Sequence, residues 1–148
     1  MNNLETPAIV LQTHSLREAD VIAVLLSPEL GRISAIARNA KKSQKRFMGG
    51  FDVFDCGVFR LARPKINSQP YIIEDLSKRE YWPALREDLK KFSAACFCLE
   101  ITLPFVKEED ETAGHLFSPL NKCLKAIHAA RSAEETLTLA VYYNLMLL

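Results

Sequence analysis

The stretch Gly31–Lys65, GRISAIARNAKKSQKRFMGGFDVFDCGVFRLARPK, decides how the chain is read. It holds nine cations (Arg32, Arg38, Lys41, Lys42, Lys45, Arg46, Arg60, Arg63 and Lys65) against two acids, Asp52 and Asp55. That is a net of +7 in a chain whose total is +1. A field this concentrated attracts polyanions. The plain alternative is a solvated loop whose Lys and Arg serve solubility. The flanking patterns argue against it, because the charges lie on and between apparent strands.

Working outward, residues 6–15 (TPAIVLQTHS) alternate as a strand with Ile9 and Leu11 on one face. Residues 20–27 (DVIAVLLS) read as a strand buried on both faces. Ser27-Pro28-Glu29-Leu30-Gly31 reads as a hairpin loop, and residues 31–38 as a third strand. Residues 39–50 have no apolar period until Phe47. Strand character returns over 51–61 with a bulge or bend at Gly57, and residues 71–76 (YIIEDL) give a fifth strand. Five short strands with tight turns predict a small closed barrel, which leaves no open edge.

From Pro83 the period changes. Leu85, Leu89, Phe92, Cys96, Leu99 and Leu103 mark a helical stripe, ended or kinked by Pro104. A second helix is expected over 112–130, carrying Leu116, Leu120, Leu124 and Ile127. Ser132 and Glu135 form a capping box for a third. Residues 1–80 carry a net +3 and residues 81–148 a net −2, so a boundary is placed between Glu80 and Leu85. The chain is expected to divide into a barrel unit, 1–80, and the start of a helical domain, 81–148. The last helix ends on an uncovered apolar run (TLTLAVYYNLMLL), from which truncation is expected in preference to a partner over that surface.

The chemistry of catalysis is sparse. His14, His115 and His128 are scattered, and no phosphate-loop, dinucleotide or nucleophile-elbow motif occurs. Gly49-Gly50 reads as a flexible turn, and Asp52 and Asp55, if on a strand, point to opposite faces. Cys56, Cys96, Cys98 and Cys123 lack paired spacing and read as small apolar core residues, so neither metal nor disulfide is expected. No enzyme activity and no cofactor is expected. The absence of a long apolar run or of a leader pattern points to a cytoplasmic protein, which a DNA-binding role would make nucleoid-associated. Binding fits better: cations on the third strand, in the loop after it and at the turn between strands four and five would pair with phosphates. Of the interleaved rings Phe47, Phe51, Phe54, Phe59 and Tyr71, most are expected to be core and at most one or two to stack bases, Phe47 first because it sits in the basic loop.

The arrangement TPAIVLQTHSLREADVIAVLLSPELGRISAIARNAKKSQKR, with the less specific LREDLKKFSAACFCLEITLPFV, resembles the RecO family of bacterial recombination mediators. The resemblance covers essentially the whole chain. It implies an α+β fold: an N-terminal five-stranded OB-fold barrel followed by an α-helical domain, here incomplete. It also implies binding of single- and double-stranded DNA, strand annealing, and recombinase loading together with RecR and single-strand-binding protein, without covalent catalysis. The family's basic positions correspond to Arg32, Arg38, Lys41, Lys42 and Arg46. Arg17, in the READ motif, is a further DNA-binding candidate whose alternative is an ion pair with Glu18 or Asp20. The cysteine cluster that many members carry for zinc would lie past Leu148, which leaves the role of the C-terminal half open. Two other classes stay in play: an adaptor acting through its helical half, and, more remotely, a metal-dependent nuclease using Asp52 or Asp55.

Overall fold

The computed structural model describes residues 3–42, 47, 51–108 and 110–148. The described residues form five strands, β1 (Asn3–Leu16), β2 (Asp20–Ser27), β3 (Gly31–Ala37), β4 (Cys56–Ala62) and β5 (Tyr71–Glu80). Four α-helices follow: α1 (Ala84–Glu87), α2 (Leu89–Thr102), α3 (Phe117–Ala129) and α4 (Ala133–Leu147). The strands close in the order β1-β2-β3-β5-β4. Closure is possible because β1 is long and serves two neighbours. Its first half, Asn3 to Ile9, pairs with β4, and the part from Ile9 to Leu16 pairs with β2, with a register shift after Val10. The β3–β5 pairing is the parallel one, Ala35 opposite Tyr71 and Ile36 opposite Ile72. This is the OB-fold arrangement with helices after it, the mixed α+β class expected from the sequence.

Alternation along β1 and β2 sorts their apolar residues into two cores. Ala8, Val10, Ala23 and Leu25 fill the barrel with Phe59, Leu61 and Ile73. Ile9, Leu11, Val24 and Leu26 face outward instead, into a core shared with Trp82, Leu85, Leu99, Leu120, Leu124 and Ile127 of the helical half. Both strands are therefore apolar on both faces, as the composition of β2 predicts. The helical half also meets the β2–β3 hairpin directly. A Cβ on Gly114 would lie 2.3 Å from the Pro28 carbonyl oxygen. The hairpin itself needs Gly31, whose φ of 69° lies in the left-handed region.

Three local expectations change. The strand predicted from Phe51 begins only at Cys56. Asp52 Oδ1 accepts from the Val53 amide and Asp55 Oδ2 from the Asp52 amide, so residues 51–55 curl into a turn. Phe54 takes a φ of 71° there, held by its amide bond to the Val10 carbonyl and by an edge-on ring contact with Phe92. Asp52 and Asp55 are thus hydrogen-bonded to each other's segment and do not lie on opposite faces of a strand. The first long helix is broken at Asp88, whose carboxylate caps α2 through the Lys90 and Lys91 amides. Because the helix restarts there, Leu89 and Phe92 fall on the exposed side, and Ala95, Cys98, Leu99 and Thr102 form the buried stripe. The second helix opens as a 3₁₀ segment, Glu111–Leu116, before α3. The capping box is present: Ser132 Oγ accepts from the Glu135 amide, and Glu135 reaches back to the Arg131 amide.

Several polar groups buried by this packing are satisfied in chains, although Thr136 Oγ1, also buried, has no hydrogen-bond partner. Thr102 Oγ1 donates to the Cys98 carbonyl at 2.7 Å and sits 2.6 Å from the Tyr143 hydroxyl, which must then donate to it. Burial pushes the Tyr143 phenol up to about 12. The Cys98 and Cys123 sulfurs lie 3.8 Å apart between α2 and α3. Their shared hydrogen bond, with Cys98 donating, raises the Cys98 thiol and lowers that of Cys123. Asp55 is the densest junction: its Oδ1 accepts from Arg79 of β5 at 2.8 Å and from Arg86 of α1 at 3.2 Å.

Two stability measurements test this packing. Asp55→Asn leaves two partly exposed guanidiniums facing an uncharged amide, and should cost about 2–3 kcal/mol in urea unfolding, less than a fully buried pair because solvent screens both arginines. Tyr143→Phe should cost about 1 kcal/mol, one net hydrogen bond. The neutral phenol is favoured in the folded state, so its contribution is intact below pH 10 and is lost as pH rises from 10 toward 12. The phenylalanine variant should lack that part of the alkaline loss.

Candidate nucleic-acid interface

The cations predicted as one set separate into four environments. Arg17, Arg38, Lys41 and Lys42 are exposed at one end of the barrel. They come together because two turns are stitched to each other. The Asn39 amide donates to Asp20 Oδ1 at 2.8 Å, and the Lys41 amide to the Ala19 carbonyl at 3.1 Å. Val21 pairs with Ala37, so the turn after β3 lies beside the β1–β2 turn. Arg17 and Asn39 both take positive φ, 58° and 57°, as tight turns of this kind require. Asp20 accepts from the Asn39 backbone, and an ion pair of Arg17 with Glu18 or Asp20, the expected alternative, is not among the bonds described.

Arg63 and Lys65 are exposed on the loop between β4 and β5 and line a groove of about 730 Å³. Its other walls are Ile22 of β2, Ile33 and Ser34 of β3, Tyr71 at the start of β5, and Glu108 from the helical half. Ile22 lies opposite Ile36, and Ile36 opposite Ile72, so a row of half-buried isoleucines runs across β2, β3 and β5. Along the strands the Val21–Ala37 pair leads from that row to the Arg17–Lys42 turns, and at its β5 end Ala62, opposite Ile72, leads to the Arg63–Lys65 loop. The β2–β3 face with the flanking loops is where OB folds take extended ligands.

Three of the predicted residues stand elsewhere. Arg60 lies on β4 opposite Glu5 of β1 and Asp75 of β5, and its Nε pairs with Glu74 at 3.5 Å. It belongs to a mixed-charge surface. Arg32 is half-buried and donates to the Val106 carbonyl at 3.1 Å, so it ties β3 to the segment after α2. Phe47 corrects the stacking expectation: it is 1% exposed, packed inside the barrel with its ring 5.1 Å from that of Phe51. A ring with no open face cannot stack a base. Phe54 and Phe59 are buried as well. Lys45 and Arg46, and the Gly49-Gly50 turn, lie outside the described residues.

The groove's polar wall is invisible in the sequence. Glu108 reaches it from 74 residues beyond Ser34, whose hydroxyl donates to its Oε1 at 3.1 Å. No local spacing announces such a pairing. Tyr71 is one of the interleaved rings, but nothing in its sequence neighbours distinguishes it from the buried ones. Among the described residues, no three His, Cys, Asp or Glu side chains gather as metal ligands.

The family model described as Recombination protein O N terminal matches residues 1–72. The chain is 31% identical over 148 residues, all of its length, to the DNA repair protein RecO of Desulfosudis oleivorans, covering 56% of that protein. It is 28% identical over 143 residues to the protein of the same name from Alkaliphilus metalliredigens, 97% of this chain and 56% of the relative. With that of a Roseiflexus species it shares 32% identity over 132 residues, 89% of this chain and 45% of the relative. The chain therefore spans about half the length of the curated relatives it matches. Barrel order, helical continuation and these likenesses agree along the chain, and it belongs to the RecO family.

Proposed function

We propose that this chain is a non-catalytic DNA-binding segment of recombinational repair, which holds single strands, promotes their annealing, and serves recombinase loading together with RecR and single-strand-binding protein. The observation that carries the binding step is the juxtaposition of Arg17, Arg38, Lys41 and Lys42 with the Arg63–Lys65 loop around the open β2–β3 face. Lys and Arg so placed neutralise phosphates and release counterions without reading sequence. The barrel, residues 1–80, is the DNA-binding unit in this reading, and residues 81–148 serve contacts with protein. The repair context and the named partners are supported by kinship with proteins called DNA repair protein RecO. No described helix is long and apolar enough to cross a membrane.

A second reading has one observation in its favour. Leu137, Val141, Tyr142, Leu145 and Met146 are exposed along α4, a face suited to a protein adaptor. Loss of DNA binding with retained capture of single-strand-binding protein or RecR, in a variant of the cationic turns, would show the two roles to be separable.

Fluorescence anisotropy across a salt series tests the main reading. The double variant Lys41→Ala/Lys42→Ala should weaken binding of all sequences alike. It should also lower the log–log salt slope by about 0.7 for each single-strand phosphate that is no longer neutralised. Arg60→Ala, on the mixed-charge surface, should leave that slope unchanged. A flat salt response in the unmodified chain, or no binding at low salt, overturns the reading.

A further inference from the structure

Two of the cysteines that read as core residues in the sequence meet in space. Cys98 of α2 and Cys123 of α3 stand 25 positions apart in the chain, and their sulfurs lie 3.8 Å apart. Packing alone can bring two small apolar side chains this close. Three observations give the pair a chemistry beyond packing.

The first is unequal access. Cys98 is fully buried, whereas Cys123 is partly exposed and lines a groove of about 370 Å³ between α3 and α4, with Leu139 and Tyr143. A small solute entering the groove reaches one sulfur and not the other. The second is the order of the hydrogen bonds. Cys123 donates to the Leu139 carbonyl at 3.9 Å, so its proton points away from Cys98 and its lone pairs face it. The bond from Cys98 lowers the Cys123 thiol against the opposing effect of burial. Thiolates are the reactive form, so Cys123 is the nucleophile of the two. The third is contrast with the remaining cysteines. Burial pushes Cys56 up to about 12, and burial and then Glu100 raise Cys96. No bond described joins either of them to another sulfur.

We propose that Cys98 and Cys123 are an oxidation-sensitive pair, with Cys123 the site modified by peroxide and Cys98 the thiol that resolves it into a disulfide between α2 and α3. The Cys123 thiolate attacks one oxygen of hydrogen peroxide. The O–O bond breaks, hydroxide leaves with the proton the thiol had released, and the sulfur becomes a sulfenic acid. The Cys98 sulfur then attacks the Cys123 sulfur, the S–O bond breaks, and the oxygen departs as water with the Cys98 proton. Two thiols are oxidised and one peroxide is reduced to two waters. A small dithiol reverses the bond by exchange.

Closing the bond draws the sulfurs from 3.8 Å to about 2.05 Å. The change reaches the groove, because the Cys98 carbonyl accepts from Thr102, whose hydroxyl meets that of Tyr143 in the groove wall. None of this depends on DNA, so the proposal stands or falls apart from the binding reading above.

The test treats the whole reduced chain with a small excess of hydrogen peroxide, blocks free thiols with an alkylating agent, and maps the cysteines by peptide mass. A peptide linked through Cys98 and Cys123 should accumulate before Cys96 is modified. Free thiols should fall from four to two. The melting midpoint should rise by about 5–10 °C, the scale for a cross-link closing a loop of this length, and return on adding a dithiol. In Cys98→Ala the sulfenic acid should persist at Cys123, where dimedone traps it, and Cys123→Ala should give neither product. The unmodified chain carries the first readout, so a folding defect in a variant does not remove the test. Oxidation of Cys96 with Cys98 and Cys123 still unlinked overturns the proposal, as does a link through Cys56 or Cys96. Equal dimedone capture at Cys96 and Cys123 in Cys98→Ala overturns the assignment of Cys123 as the modified site.

Discussion

Among the described residues one carboxylate is buried, that of Asp55, and it ties the barrel to the helical half. It is 4% exposed and accepts from β5 through Arg79, from α1 through Arg86, and from the Asp52 amide. Arg86 also donates to the Val53 carbonyl at 2.7 Å, so the same guanidinium fixes the turn that carries the acid. A buried anion with charged hydrogen-bond partners is orienting because the alternatives are costly: any shift of α1 leaves charge desolvated and unpaired. The left-handed Phe54 follows from this constraint. The turn must bring Asp55 inward while keeping the Val10 bond, and a positive φ at Phe54 does both.

With one side of the barrel committed to helices, the electrostatics are left to the other. Three acids of the barrel half have partners within it. Asp55 is paired at the junction, and Asp20 accepts from the Asn39 amide while keeping its charge. Glu74 lies beside Arg60, away from the cationic turns. The Arg17–Lys42 end thus holds four exposed cations beside the exposed Glu18 and the Asp20 carboxylate, a net of +2. Arg32 shows the converse, a member of the basic stretch whose charge serves cohesion by meeting the Val106 carbonyl.

Much of this is legible in the amino-acid order. The strands alternate with a period of two and the helices carry i, i+4 leucines. The turn residues at Ser27–Gly31 and the cap at Ser132 are local signals with local causes. What escapes depends on atoms distant in the chain. The break at Asp88 is hidden because Leu85, Leu89 and Phe92 continue a helical period across it, although a capping aspartate is present. Phe47 looks exposed from its charged neighbours, yet the barrel has an end to be plugged and an aromatic ring fills it. Arg60 groups with the basic loop by proximity in the chain, whereas pairing sets it among Glu5, Glu74 and Asp75. Charge counts along a segment report how much field is available, and strand pairing decides which direction it faces.

Inheritance and enclosure divide this polypeptide at different places. The stretch matched to the family's N-terminal model ends at residue 72, two positions into β5, which runs from Tyr71 to Glu80 and closes the ring between β3 and β4. Ile9, Leu11, Val24 and Leu26, on the outer wall of the barrel, are dry only because helices lie on them. A gene fragment cut at the matched boundary would encode an unclosed sheet with a greasy flank. A protein engineer wanting the barrel alone would have to keep the chain through Glu80 and give those four positions polar side chains. The smallest portable piece of this lineage is thus larger than the piece its kinship first marks out.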